Sequence, residues 1–241
     1  MRHNHKIGVV IPALNEAKAI AKVIEAIPGW VDQIVVADNG SEDETPEIAR
    51  RLGATVTHQP EGAYGAACLA GIAALEPCDV VVFVDGDYSD YPQQMDRLVD
   101  PIAADGADLV IGSRPLGRCE RGALTPQQRF GNRLACFLIK LFWGFQYTDL
   151  GPFRAIRADA LRLINMRDEA FGWTVEMQLR ALQEGLKVLE VPVDYRARIG
   201  HSKISGTLKG TILAGHAILG TIFKTAWRSR RKANKFASAT I

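Results

Sequence analysis

The chain has 241 residues, 47% hydrophobic and 23% charged, enough for one large domain with an ordinary core but cramped for two. A formal net charge of +2 and a pI near 8.4 lack the strong, clustered basic excess that a nucleic-acid partner requires. Four cysteines without a CxxC pair or a histidine at ligand spacing argue against a zinc site or a disulfide framework, and MRHNHK enters a strand pattern with no secretory h-region, so a cytoplasmic protein is expected.

In chain order, IGVVI (7–11), QIVVAD (33–38), ATVTH (54–58), DVVVFVD (79–85) and ADLVIG (107–112) read as buried strands. Between them, 16–27, 44–52, 65–75 and 92–104 carry apolar residues at helical spacing, with Pro46 and Pro92 where a helix can start. The second half differs: a Gly, Pro and Arg loop at 112–126, an apolar helix at 129–145, a helix near 170–184 and the strand KVLEVPVDY at 187–195. Strands alternating with helices predict an α/β fold, a mostly parallel sheet covered on both faces, with a mixed second half. One domain over 1–227 is expected, its halves meeting near 112, followed by a basic, flexible tail at 228–241.

In such sheets ligands bind beyond the carboxyl ends of the strands. There the strand-like run VVVFVDGD places Asp85 and Asp87 one glycine apart, their side chains on one side and Gly86 allowing close backbone approach. Two adjacent carboxylates repel unless a cation lies between them. Mg²⁺ or Mn²⁺ suits such a pair, taking carboxylate oxygens together with substrate phosphates. A solvated Asp-Gly turn is the plain alternative.

Other strand ends narrow the choice: PALNE follows the first strand, DNGSEDET the second, and GAYGAA the third, all on the same edge. In order and separation these segments and DGD resemble the family 2 inverting glycosyltransferases of the GT-A, Rossmann-like fold, over roughly residues 7 to 210. Within that family they are most similar to dolichyl-phosphate mannose and glucose synthases and bacterial polyprenyl-phosphate relatives. The resemblance implies a nucleotide-sugar donor, with Pro12 and Glu16 shaping the nucleoside pocket, Asp38 contacting the base, Gly65 of GAYGAA in the donor site, and Asp85, Gly86 and Asp87 at the diphosphate and metal. Asp87 is the better candidate for direct ligation. Ser89 stands where that branch often has a metal-assisting Gln, so Asp90 or water is left to complete the shell.

TDLGPFRAIR (148–157) resembles the branch's D-x-S-G-F-R segment, with Pro152 for its Gly, and RARIGHSKISG (196–206) its R-x-x-G-x-S-K segment. The resemblance assigns Lys203 and an arginine to the diphosphate; Ala197 occupies the arginine's place, and a one-residue slip brings Arg198 there ahead of Arg196. Arg114, Arg129, Arg133 and Arg154 are the candidates for an acceptor phosphate.

Glu176, in FGWTVEMQLRALQEG, has two readings. An alcohol acceptor loses a proton as it attacks and needs a general base, which the family places near this position. A phosphomonoester is already largely dianionic at pH 7, leaving Glu176 to positioning or to a surface ion pair with Arg180. The expected reaction is therefore hexose transfer from UDP-glucose or GDP-mannose to a polyprenyl or dolichyl phosphate, catalysed by Asp87 with its metal and Arg198. A soluble hydroxyl acceptor with Glu176 as base, or a silent nucleotide-sugar binding module, are the alternatives. TILAGHAILGTIF (211–223), expected as an amphipathic C-terminal helix, is shorter than the roughly 20 residues of a spanning helix. It and RFGNRLACFLIKLFWGF (129–145) suit either peripheral membrane contact or a homodimer.

Overall fold

A computed structural model describes residues 1–59, 63–200 and 215–227. Seven strands form one sheet: β1 (Ile7–Ala13), β2 (Gln33–Asp38), β3 (Thr55–His58), β4 (Val80–Phe83), β5 (Leu109–Ser113), β6 (Arg154–Arg157) and β7 (Val188–Pro192). Their order is β3-β2-β1-β4-β6-β5-β7; β6 runs antiparallel to both neighbours and every other pair is parallel. The wholly buried β1 and β4 occupy the centre, as their unbroken Val and Ile runs require.

β6 has no counterpart among the expected strands. RAIR is only four residues long and its alternation is shared with the loop before it, so period alone does not mark it. Its place is tertiary: Ala155 lies opposite both Val82 and Val110, so β6 bridges β4 and β5. One sheet therefore draws strands from both halves of the chain.

Helices cover both faces. α1 (Ile20–Ala26), α2 (Thr45–Arg51) and α4 (Asp96–Ala103) bury Ile20, Val23, Ala49, Leu98 and Ile102 on one face. α3 (Tyr64–Ala73), α5 (Pro126–Trp143), α6 (Ala158–Ile164) and α7 (Trp173–Gln183) cover the other with Cys68, Ile139, Leu161 and Leu179. A final helix, α8, spans 215–227 and meets α5 through an edge-on contact of Phe142 and Phe223.

Several boundaries differ from the periodicity for local reasons. Residues 16–19 form a turn, with the N–H groups of Ala19 and Ile20 both donating to the Glu16 carbonyl at 2.8 Å, so α1 starts four residues later than expected. α5 starts earlier, because Thr125 and Gln128 form a reciprocal capping box with Pro126 at the first helical position. Gly144, at φ 74°, ends it in the left-handed conformation. The segment 92–104 splits into a 3₁₀ turn at Pro92–Gln94 followed by α4. All four cysteines are free thiols.

The start of α3 packs against the loop before α7. Gly65 N–H donates to the Ala170 carbonyl at 3.1 Å and Ala66 N–H to that of Glu169 at 2.9 Å. A Cβ on Gly65 would lie 2.0 Å from the Asp168 carbonyl oxygen, so only glycine lets the backbones meet. We expect Gly65→Ala to destabilise the protein by about 1–3 kcal/mol through forced displacement of this loop, read as a lower urea midpoint at unchanged m; an unchanged midpoint would show that the loop moves freely.

Candidate active site

At the carboxyl edge of the central strands lies a cleft of about 280 Å³. Pro12 enters from the end of β1, Leu14 and Glu16 from the loop after it, Asn39 from the β2 loop, Tyr64 from α3, Asp85, Gly86 and Asp87 from the β4 turn, Phe171 from before α7 and Arg198 from after β7. Gly86 lets the β4 turn lie against β1: a Cβ there would sit 3.3 Å from Ala13 Cβ and 3.4 Å from the Pro12 carbonyl oxygen.

The two acids are held differently. Asp87 is 5% exposed; its Oδ1 accepts from Ser89 N–H at 2.8 Å and Ser89 Oγ at 2.5 Å, and its Oδ2 lies 3.2 Å from Arg198 Nη2. Asp85 accepts from the Tyr64 hydroxyl at 3.0 Å. Burial first, then the charge of Asp87, pushes the Asp85 carboxyl up to about 7. The same two causes, with Asp85 the larger charge, hold Asp90 well above the usual carboxylate range, and both its oxygens are buried without a partner. Asp90 does not line the cleft.

The two candidate arginines separate clearly. Arg196 lies over the rings of Tyr88 and Tyr91, 3.5 and 4.0 Å from their centroids, and donates to the carbonyls of Tyr88 at 2.7 Å and Asp90 at 2.8 Å. It clasps the turn that carries the acids. Arg198 instead faces the cleft, its Nη2 donating to Glu16 Oε1 at 3.1 Å. Lys203 lies outside the described residues.

Other expected residues sit elsewhere. Asp38 is buried at the end of β2, its oxygens accepting from Ser41 N–H at 3.1 Å and paired with His58 Nδ1 at 2.8 Å; Asn39, not among the expected site residues, reaches the cleft wall with its carboxamide oxygen unpaired. Asn39 has one signal in the sequence, its place directly after the β2 acid. Much of DNGSEDET holds loops together: Ser41 Oγ accepts from Asn15 N–H, Asp43 from Ala17 N–H, and Thr45 Oγ1 from Glu16 N–H.

Gly65 is not in the cleft; its part is the backbone contact with 168–170 described above. Glu176 is not in the cleft either. It is buried, Oε2 accepting from the N–H groups of Arg167 and Asp168 at 3.0 and 2.7 Å and Oε1 from Arg180 Nε at 2.8 Å. Its place is a separate polar hollow between α7 and α8, so it anchors the loop that Gly65 receives rather than facing the acids.

None of the four acceptor candidates lines the cleft. Arg154 is fully buried in β6 and its guanidinium donates to the carbonyls of Leu150, Gly151 and Thr174, which removes it from contact with an acceptor. Burial lowers its pKa most strongly. Arg114 is gripped by Asp149 through two 2.7 Å hydrogen bonds, and that charge raises its pKa although burial works against it. Arg129 and Arg133 are exposed on α5. Among the described residues no three His, Cys, Asp or Glu side chains form a metal-binding group.

An α/β sheet whose carboxyl edge carries a DGD turn, with an arginine returning from beyond the last strand, defines a GT-A-type transferase. The family model for "Glycosyl transferase family 2" matches residues 8–164, and the chain belongs to that family. It is 36% identical over 213 residues to a protein of Mycobacterium tuberculosis named only as a glycosyltransferase, covering 86% of this chain and 94% of the relative. It is 35% identical over 207 residues to the dolichyl-phosphate hexose transferase of Haloferax volcanii (82% and 86% coverage). To the undecaprenyl-phosphate mannosyltransferase of Micrococcus luteus it is 29% identical over 222 residues (85% and 90% coverage). In fold it is similar to glucosyl-3-phosphoglycerate synthase of M. tuberculosis, solved with Mn²⁺, UDP and glucosyl-3-phosphoglycerate, at TM-score 0.72 and 24% identity over 92% of this chain and 80% of that one.

The raised Asp85 carboxyl makes metal-free stability depend on pH. Between about 4, where the unfolded carboxyl titrates, and about 7, the folded protein holds a proton that the unfolded chain has lost, so stability falls as pH rises. Asp85→Asn should therefore raise the metal-free melting temperature at pH 8, with a smaller gain at pH 5. Equal gains at both would place the carboxyl's titration outside this window.

Proposed function

We propose that this glycosyltransferase moves a hexose from UDP-glucose or GDP-mannose to a polyprenyl phosphate with inversion at the anomeric carbon. The observation that carries this reading is the engagement of every acid in the cleft. Asp85 accepts from Tyr64, Asp87 from Ser89 and Arg198, and Glu16 from Arg198, while Glu176 faces another hollow. No histidine is among the lining residues. A hydroxyl acceptor would need a base from this set, whereas a phosphate dianion brings its own charge and needs only alignment.

In the proposed step a phosphate oxygen attacks the anomeric carbon and the bond to the nucleoside diphosphate breaks, its electron pair leaving with the diphosphate. Asp85 and Asp87 fit a hard divalent cation: both carboxylates line the cleft, Asp87 Oδ2 already lies beside a cationic group, and burial together with the charge of Asp87 holds the Asp85 carboxyl up. Mg²⁺ or Mn²⁺ bound there would neutralise charge on the leaving diphosphate. Arg198, with Lys203, is assigned to the same diphosphate. Pro12, Glu16 and Asn39 bound the donor's nucleoside side, with Asp38 holding the β2 loop behind them. Arg114 is assigned to the acceptor side, with Arg129 and Arg133 as outer guides for the phosphate.

The same reading includes contact with an anionic bilayer. Phe130, Phe137 and Leu141 are 69%, 60% and 64% exposed and recur at seven and eleven residues, one face of α5, flanked by Arg129 and Arg133. Phe223 and Trp227 on the adjoining α8 are also exposed. Aromatic surface beside arginines suits the headgroup boundary, and among the described residues no helix is long and apolar enough to span a membrane.

The test is radiolabelled transfer from each donor to polyprenyl phosphate and, separately, to 3-phosphoglycerate. Labelled lipid is expected, abolished by Asp87→Asn; label only in a soluble hydroxyl acceptor would overturn the proposal. Losing a general base costs on the order of 100-fold or more, so Glu176→Gln is expected to keep turnover within about fivefold while lowering the melting temperature. Flotation with anionic liposomes should carry the parent upward and lose the Phe130→Ser/Phe137→Ser variant; a parent that sediments as a dimer without liposomes would assign that face to a second copy.

A further inference from the structure

We propose that Arg198 is the resident counter-ion of the Asp85 and Asp87 pair, and that it must leave Asp87 before a divalent cation can bind there. The inference rests on the metal-dependent reading above and adds to it an order of events: the cation and the guanidinium compete for one oxygen.

That oxygen is singled out by the chain's own Ser89. Both the N–H and the hydroxyl of Ser89 donate to Asp87 Oδ1, which turns that oxygen away from further partners. Oδ2 is left, and Arg198 Nη2 already lies 3.2 Å from it. The same nitrogen is 3.1 Å from Glu16 Oε1, so one N–H₂ group bridges acids arriving from two different loops. Asp87 and Glu16 have side-chain exposures of 7% and 9%, too dry for water alone to neutralise them. A guanidinium in this pose gives the acids a positive partner. A divalent ion on Oδ2 would repel it, and both cannot hold the same lone pair.

Two features make the pose exchangeable. Arg198 Nε is buried without a hydrogen-bond partner, so the bridge leaves the guanidinium incompletely satisfied and a different pose can satisfy it better. The backbone around it is anchored independently of the side chain: Arg196 N–H donates to the Ser89 carbonyl and Ile199 N–H to the Asp87 carbonyl, each at 3.0 Å. The strip 196–199 thus stays beside the acid turn while the Arg198 side chain is free to move within the cleft, which is 30% exposed there. The guanidinium displaced from Asp87 by a cation is then placed to meet the diphosphate that arrives with it, so one side chain guards the site when empty and grips the donor when full.

The consequence is a pair of opposite effects from one substitution. In nucleotide-free protein, Mn²⁺ titration followed by the electron paramagnetic resonance signal of free Mn²⁺ should show Arg198→Gln binding the ion about tenfold more tightly than the parent, as removal of a competing charge-assisted contact predicts. At saturating Mn²⁺ the same variant should bind UDP or GDP about tenfold more weakly. Lys22→Gln removes a nearby cation that sits over the Tyr88 ring rather than on the acids, and should leave Mn²⁺ affinity within about twofold of the parent. Matching melting curves establish that the variants are folded. Unchanged or weaker Mn²⁺ binding in Arg198→Gln, a rise equalled by Lys22→Gln, or no Mn²⁺ binding in either parent or variant would each overturn the proposal. These readouts involve no acceptor, so the lipid-phosphate reading stands or fails separately.

Discussion

The repulsion between two carboxylates one glycine apart at the end of the central strand is the constraint around which this molecule is arranged. A strand buried on both faces delivers Asp85 and Asp87 into a site with little water, where burial and then the charge of Asp87 raise the cost of ionising Asp85. Four separate elements answer that charge. Tyr64 comes from α3, Ser89 from the turn itself, Arg198 from beyond β7 and Arg114 from the loop after β5, whose charge also lowers Asp85. The second half of the chain is thereby tied to the first by electrostatics as well as by β6.

That tie explains why so many polar residues near the site face away from it. Arg196 clasps the backbone of the acid turn, Glu176 caps the loop at 167–168, Arg154 gathers three carbonyls beneath the sheet, and Asp38 fastens the β2 loop. Each satisfies backbone groups that irregular loops would otherwise leave unpaired. The loops held in this way bring Pro12, Asn39, Tyr64 and Phe171 together as walls of the cleft. The positive φ of 63° at Tyr88 shows the same priority, since a bulky residue takes a left-handed turn between Asp87 and Ser89.

The two faces of the sheet expose different surfaces. α1, α2 and α4 pack one face, whereas α5 and α8 leave an aromatic, arginine-edged strip on the other. Asn132 links that strip to the loop next to the site, its side chain hydrogen-bonded to the Thr148 carbonyl and the Leu150 N–H. A bilayer held against α5 would therefore lie next to the loop that carries Asp149 and, through it, Arg114.

The sequence by itself determined the fold class, the central strands and the identity of the acid pair, because these depend on local properties: unbroken Val and Ile runs bury a strand wherever it lies, and DGD at a strand end is a charge problem in any context. The start of α5 was not among these: apolar spacing marks the helix only from 129, and the Thr125 to Gln128 capping box sets its start at Pro126. Only the tertiary structure decided which members of each motif face the cleft. Arg196 and Arg198 are two residues apart in one basic loop, and nothing local tells the clasp from the cleft residue; the rings of Tyr88 and Tyr91 do. Glu176 and Asp87 are both buried acids that accept from backbone N–H groups and pair with an arginine, but Glu176 is closed off by the loop at 167–168 and Arg180 of its own helix, whereas the arginine of Asp87, Arg198, comes from beyond β7 and lines the cleft. A hydrogen-bond partner far away in sequence fixes where a polar side chain points, and that partner exists only once the sheet has brought the loops together.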